Sequence, residues 1–169
     1  GARELGIPLI VGSAGGSGAR THTEWTMDIV REILGEMVWN PKVAVIWADI
    51  DKVHIMEKAA AGQVVKMSPN VPDLTEDSLD QTNGVVAQMG AEPVMAALSQ
   101  GAQVIICGRA YDSAPFAAAG IIRGHDPALC YHLGKILECG ALCAEPGTTK
   151  DCMIGVLEDD SFVVYPTNP

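Results

Sequence analysis

The sequence predicts an α/β fold: a mainly parallel sheet with helices on both faces, followed by a C-terminal β-hairpin over 152–166. Three observations carry this reading. Short apolar runs at 7–11, 43–47 and 104–107 are bounded by turn residues, the pattern of strands buried on both faces. Segments of helical periodicity lie between them, and strands alternating with helices imply parallel pairing through crossover connections. Two further apolar runs, at 153–157 and 162–165, flank Glu158-Asp159-Asp160-Ser161, which is hairpin spacing. The arrangement is Rossmann-like, and 169 residues suit a single α/β domain.

The first run empties into Gly12-Ser13-Ala14-Gly15-Gly16-Ser17-Gly18-Ala19, a tight loop leading into a helix. Thr21-His22-Thr23-Glu24 has capping-box spacing. Trp25, Ile29 and Ile33, with Val30, Leu34 and Met37, recur at helical period and are expected on the core-facing side. Asn40-Pro41 breaks this helix. The second strand delivers Asp49 and Asp51 at its carboxyl end, a helix over 51–61 follows, and Gly62 closes it. Val64 and Val65 are expected in a short strand, and residues 68–72 in an irregular loop. Composition favours helix over 75–100, divided by Gly84, Gly90 and Pro93 into two pieces, the second running from Glu92-Pro93 to Gly101. The third strand closes on Gly108-Arg109-Ala110-Tyr111-Asp112. Asp112 or Ser113 is expected to cap a helix with Pro115 in its first turn, ending near Arg123-Gly124. A last helix over 128–144 then stops at Pro146-Gly147.

Hydrophobic residues at 48% and charged residues at 19% supply enough apolar material for a folded core. Eleven Lys and Arg against twenty-one Asp and Glu leave a net charge of −10, the wrong sign for a phosphate backbone or an anionic membrane surface. No nucleic-acid or membrane partner is expected. No apolar run approaches the roughly 20 residues a bilayer span needs, and the N-terminal residues lack the pattern of a signal peptide, so a cytoplasmic location is expected. The five cysteines lack disulfide-scaffold spacing and read as reduced thiols. The sequence begins at Gly1 and ends just after a strand-like run, which reads as a fragment of a longer protein.

In sheets of this kind ligands sit beyond the carboxyl ends of the strands. Three segments fall there: the loop 12–19, the acidic pair at 49–51 and the loop 108–113. In the first, Gly12, Ser13, Gly15, Gly16, Ser17 and Gly18 let backbone N–H groups approach an anion at the positive end of a helix. The loop lacks the Lys-Ser/Thr ending of a nucleotide-binding P-loop, and a tight turn that only permits close packing is the competing reading. Arg109 is placed to pair with a carboxylate or phosphate, with Tyr111 as a further donor. Asp112, Asp49 and His22 are the candidate acids or bases, while Asp112 and Asp51 are also natural helix caps. Gly12, Gly16 and Gly18 with Tyr131 and Lys135 fit the NAD(P)-dependent short-chain dehydrogenase pattern. Against it, the third strand ends in Cys-Gly-Arg-Ala rather than an Asn-rich turn, and no serine lies at the usual distance before Tyr131. On the last helix His132, Ile136, Cys139 and Cys143 form one stripe, read as core, and no metal site is expected there. Tyr131, Lys135 and Glu138 form a neighbouring stripe that suits a solvated face, a subunit contact or a wall of the site.

The segments 12–19, 107–116, 131–144 and 160–169, taken together and in this order, resemble the acyclic terpene utilisation (AtuA) family. The likeness runs through nearly the whole sequence. It implies a role in the breakdown of acyclic terpenes, which proceeds through acyl-CoA esters, and it assigns no catalytic residue. A catabolic enzyme or ligand-binding domain acting on an acyl-CoA or small carboxylate is therefore expected, with the CoA thioester as substrate rather than cofactor. The NAD(P)-dependent oxidoreductase and a non-catalytic assembly domain are the alternatives. A homo-oligomer is expected.

Overall fold

The computed structural model describes residues 1–143, 145, 147–148 and 151–167. The chain runs α1 (Ala2–Leu5), β1 (Leu9–Val11), α2 (Arg20–Glu36), β2 (Val43–Ile46), β3 (Asp49–Ile50), α3 (Lys52–Ala60) and α4 (Glu76–Asp80). It continues with β4 (Val85–Val86), α5 (Glu92–Ser99), β5 (Val104–Cys107), α6 (Ala114–Ile121), α7 (Pro127–Glu138), a 3-10 turn (Gly140–Leu142), β6 (Met153–Leu157) and β7 (Phe162–Pro166). The fold is α/β, with a parallel sheet of three strands in the order β1-β5-β2. Val104 of β5 lies opposite Leu9 on one side and Val43 on the other. Two antiparallel pairs stand apart from this sheet, β3 with β4 and β6 with β7. The second of these is the expected hairpin, with Leu157 opposite Phe162.

The core follows from the central strand. Val104-Ile105-Ile106-Cys107 is apolar throughout because both faces of β5 are covered. Alternation sends Val104 and Ile106 toward Met27 of α2 and Ala14, while Ile105 and Cys107 meet Val94 and Ala97 of α5 and Ala118 of α6. Burying each isoleucine contributes about 2 kcal/mol. The same burial pushes the Cys107 thiol up from 9.0 to about 11. The hairpin docks on α7 through Gly155, where a Cβ would lie 2.8 Å from a Leu133 methyl.

Several expectations are corrected by tertiary packing. The helix α2 starts at Arg20, so Thr21 lies inside it and the anticipated capping box does not form; the cap residue is Ala19, without a side-chain cap bond. Its core face is Thr23 and Met27, with Val30 and Leu34 half-buried. Trp25 is 61% exposed, and Ile29, Ile33 and Met37 face outward with it. Both stripes have helical spacing, and the narrow sheet covers only one. Val64 and Val65 form no strand, and Val65 is 83% exposed. Helix over 75–100 is interrupted because Val85 and Val86 pair antiparallel with Ile50 and Asp49. The β-branched pair fits that ladder better than a helix. The helix α5 does begin at Glu92, with Pro93 in its first turn.

On α7 the buried residues are Cys130, Leu133 and Gly134, so the stripe expected in the core points outward: His132, Cys139 and Cys143 are exposed. His132 instead packs edge-on against Phe162, ring centres 5.1 Å apart. The helix expected over 128–144 ends earlier, at Glu138, and the chain passes through Cys139 into the 3-10 turn at Gly140–Leu142; the expected stop at Pro146 lies outside the described residues. Among the described residues no helix is long and apolar enough to cross a membrane.

Candidate functional site

The loops after β1 and β5 are joined through their backbones. The Ala14 amide donates to the carbonyls of Cys107 and Gly108, each at 3.0 Å, and the Ala110 amide donates to the Gly12 carbonyl at 3.0 Å. Ser13 and Arg109 pair as an antiparallel bridge. The loops approach most closely at two glycines. At Gly18, whose φ is +74°, a Cβ would sit 1.9 Å from the Gly108 carbonyl oxygen; at Gly108 it would lie 2.6 Å from the Gly18 oxygen. Only glycine fits such an approach. Beneath it Thr23 is buried, its hydroxyl donating to the carbonyls of Gly18 and Ala19, both at 3.3 Å. Close packing therefore accounts for Gly18, whereas Gly16, with φ +85°, faces open space.

The positive end of α2 is already met from within the protein. Asp49 accepts the Arg20 N–H through Oδ1 at 2.9 Å, a capping bond supplied by a residue far away in sequence. Asp51 accepts the Val53 N–H at 2.8 Å and caps α3. The acidic pair thus serves two helix starts. Ser17 Oγ accepts the Ala19 N–H at 3.3 Å and lies 2.7 Å from His22 Nδ1. Arg20 stacks over the Trp47 ring at 4.3 Å.

Arg109 is half-buried, and among the described residues it is the arginine whose side chain has no hydrogen-bond, ion-pair or ring partner. Its Cβ lies against Gly18, where a Cβ added to the glycine would come within 2.9 Å. Tyr111 and Asp112 are exposed, and the Tyr111 amide is held by the Met89 carbonyl at 2.8 Å. Asp112 does not cap α6; Ser113 occupies that position without a side-chain cap bond, and its buried hydroxyl has no partner.

Sequence reasoning missed two features beside this edge. One is a groove of about 800 Å³ between the end of β1, α6, α7 and β6. Ile10, Phe116, Leu137 and Leu157 line its apolar length, while Gly12, Ser13, Asp112 and Glu138 line it as well. The helix period of α7 carried half of this signal; the strand that completes the groove comes from the hairpin and has no local cue. The other is the pairing of Lys135 with Glu138. The Cys139 thiol and the Lys135 ammonium hold the Glu138 carboxyl below its ordinary value. Glu138 in turn raises both Lys135 and Cys139, and Tyr111 adds a smaller electrostatic contribution to Lys135.

The structure thus divides the residues singled out from sequence. Gly12, Ser13 and Asp112 line the groove; Gly15, Gly16, Ser17, Gly18 and Arg109 belong to the joined loops; His22, in the first turn of α2, meets Ser17; Asp49 supports the loops as a cap. Tyr131 packs against the α5, β5 and α6 core cluster, and Lys135 engages Glu138. Among the described residues no group of three or more His, Cys, Asp or Glu is placed to hold a metal ion. No curated protein and no solved structure matches this sequence. Residues 4–159 match the family described as acyclic terpene utilisation family protein AtuA, and the chain belongs to that family.

Proposed function

We propose that this chain is the ligand-binding part of a catabolic protein acting on an acyl-CoA or small carboxylate derived from an acyclic terpene. Arg109 is the observation that carries the reading. Arg109 is a half-buried residue whose guanidinium has no acceptor among the described residues, and an incoming anion supplies that pairing. Gly16 in the adjoining loop faces open space, and the exposed Tyr111 offers a second donor. The apolar length of the groove suits a hydrocarbon chain, with Gly12, Ser13 and Asp112 at the head group and Asp112 as its acid or base. Asp49 caps the start of α2 through Oδ1, and its second carboxylate oxygen stays available at the loop edge. The uncovered stripe of Trp25, Ile29, Ile33 and Met37 supports a second copy as partner.

Isothermal titration with CoA, a branched acyl-CoA and the corresponding free acid tests the binding reading. Arg109→Ala is expected to weaken the best of these ligands by about tenfold or more, the effect of removing one charge-assisted pair. Equal binding by the variant, or no binding by the unmodified chain, overturns it.

A further inference from the structure

Ser17 and His22 form a contact that anion binding does not need. We infer that Ser17 is a nucleophile, with His22 as its base, and that the ligand of this site is a thioester whose acyl group passes to Ser17. The inference rests on the acyl-CoA reading above for its substrate and on separate observations for its chemistry. Ser17 Oγ is 2.7 Å from His22 Nδ1, within the reach required of a nucleophile and its base. The same oxygen accepts the Ala19 N–H and still carries its own proton, which passes to Nδ1 in the tautomer that holds the ring proton on Nε2. Among the described serines it is the one that meets a histidine; Ser78, Ser99 and Ser161 are engaged by neighbouring backbone or carboxylate groups.

The loop is shaped around this pair. Gly15, with φ +58°, lies so close to His22 that a Cβ would fall 2.8 Å from the histidine Cβ. Gly16 and Gly18 both have positive φ, so the chain turns in a left-handed conformation on either side of Ser17 and presents it at an exposed tip. The His22 backbone is fixed in α2, its carbonyl accepting the Thr26 hydroxyl at 2.9 Å. Open space at Gly16 admits the acyl carbonyl, and Arg109 beside Gly18 supplies positive charge for the developing oxyanion.

In the first step Ser17 Oγ bonds to the thioester carbonyl carbon as its proton passes to Nδ1. The carbon–sulfur bond then breaks, and the imidazolium returns that proton to the departing thiolate. Water next attacks the Ser17 ester and gives a proton to Nδ1, which delivers it to Oγ as the ester bond breaks. A thioester and water become a thiol and a carboxylic acid, which ionises in water.

Intact-mass spectrometry of the chain with a branched acyl-CoA, and separately with a neutral p-nitrophenyl ester, tests this. An acyl adduct mapped to Ser17 is expected, lost in Ser17→Ala, retained at that position in Ser17→Cys, and formed about a hundredfold more slowly in His22→Ala. Both exposed positions should keep the unmodified melting temperature. Binding of acyl-CoA with neither an adduct nor release of free thiol or nitrophenol from either compound overturns the nucleophile and leaves the anion site standing. An adduct from the neutral ester with no acyl-CoA binding supports the nucleophile and removes the anion site. An adduct that persists in Ser17→Ala overturns the assignment to Ser17.

Discussion

Two loop-rich regions of this chain follow opposite rules. The joined loops 12–19 and 108–113 are held by partners remote in sequence: Ala14 on Cys107 and Gly108, Ala110 on Gly12, Asp49 on Arg20. The stretch 61–91 is held mostly by neighbours, such as the reciprocal Thr75 and Ser78 cap and the turn from Ser68 to Val71. There Val65 is 83% and Met67 99% exposed, while Gly18 and Gly108 leave no room for a methyl group. Glycine therefore has two meanings in one sequence. In the first region it permits contact between backbones, and in the second it eases a turn.

Substituting the same residue type in both regions tests this difference most sharply. Gly18→Ala should cost on the order of 3–5 kcal/mol, because the new methyl meets a carbonyl oxygen and the backbone cannot yield without breaking the loop junction. A cooperative denaturant transition near the unmodified midpoint would break the comparison. Alkaline conditions act next, through the sheet beneath the loops. The Cys107 thiol is raised from 9.0 to about 11 in the folded chain, so the stability it adds is fully present below pH 9 and is lost as pH rises toward 11. The unfolding midpoint should fall over that window, and Cys107→Ala, although less stable at neutral pH, should fall less steeply. Asp49→Ala should cost about 1 kcal/mol, the usual value of a lost cap, read as a lowered midpoint with an unchanged slope. At the small end, Gly84→Ala has no positive φ and nothing within 4 Å of its new methyl. Its midpoint should stay within about 0.5 kcal/mol of the unmodified chain.

The sequence revealed what is settled locally. β5 was legible because all four of its residues are apolar, and the cap at Asp51 was legible because its carboxylate accepts an amide only two residues on. The hairpin was legible from its two runs and polar turn. The partner of Asp49 was not, because nothing near Asp49 indicates that the start of α2 will come to lie against it. The two stripes of α2 could not be ranked either, since only the width of the sheet decides which is covered. Val85 and Val86 read as helix until Asp49 and Ile50 offered them a ladder. At the candidate site the glycine loop and Arg109 were visible as separate signals. Their junction at Gly18 and Gly108, the contact between Ser17 and His22, and the groove behind Asp112 all arise from tertiary structure.

The strand order β1-β5-β2 also fixes a sequence of events in time. β1 and β2 do not pair with each other; each pairs only with β5, which enters between them. During synthesis the first two strands must wait, with their inner edges unsatisfied, until residues 104–107 have emerged. Both halves of the loop junction then close at once, because the residue that ends β5 is followed directly by Gly108. Assembly of the sheet and assembly of the candidate site are one late step, and a nascent chain halted before Val104 has neither.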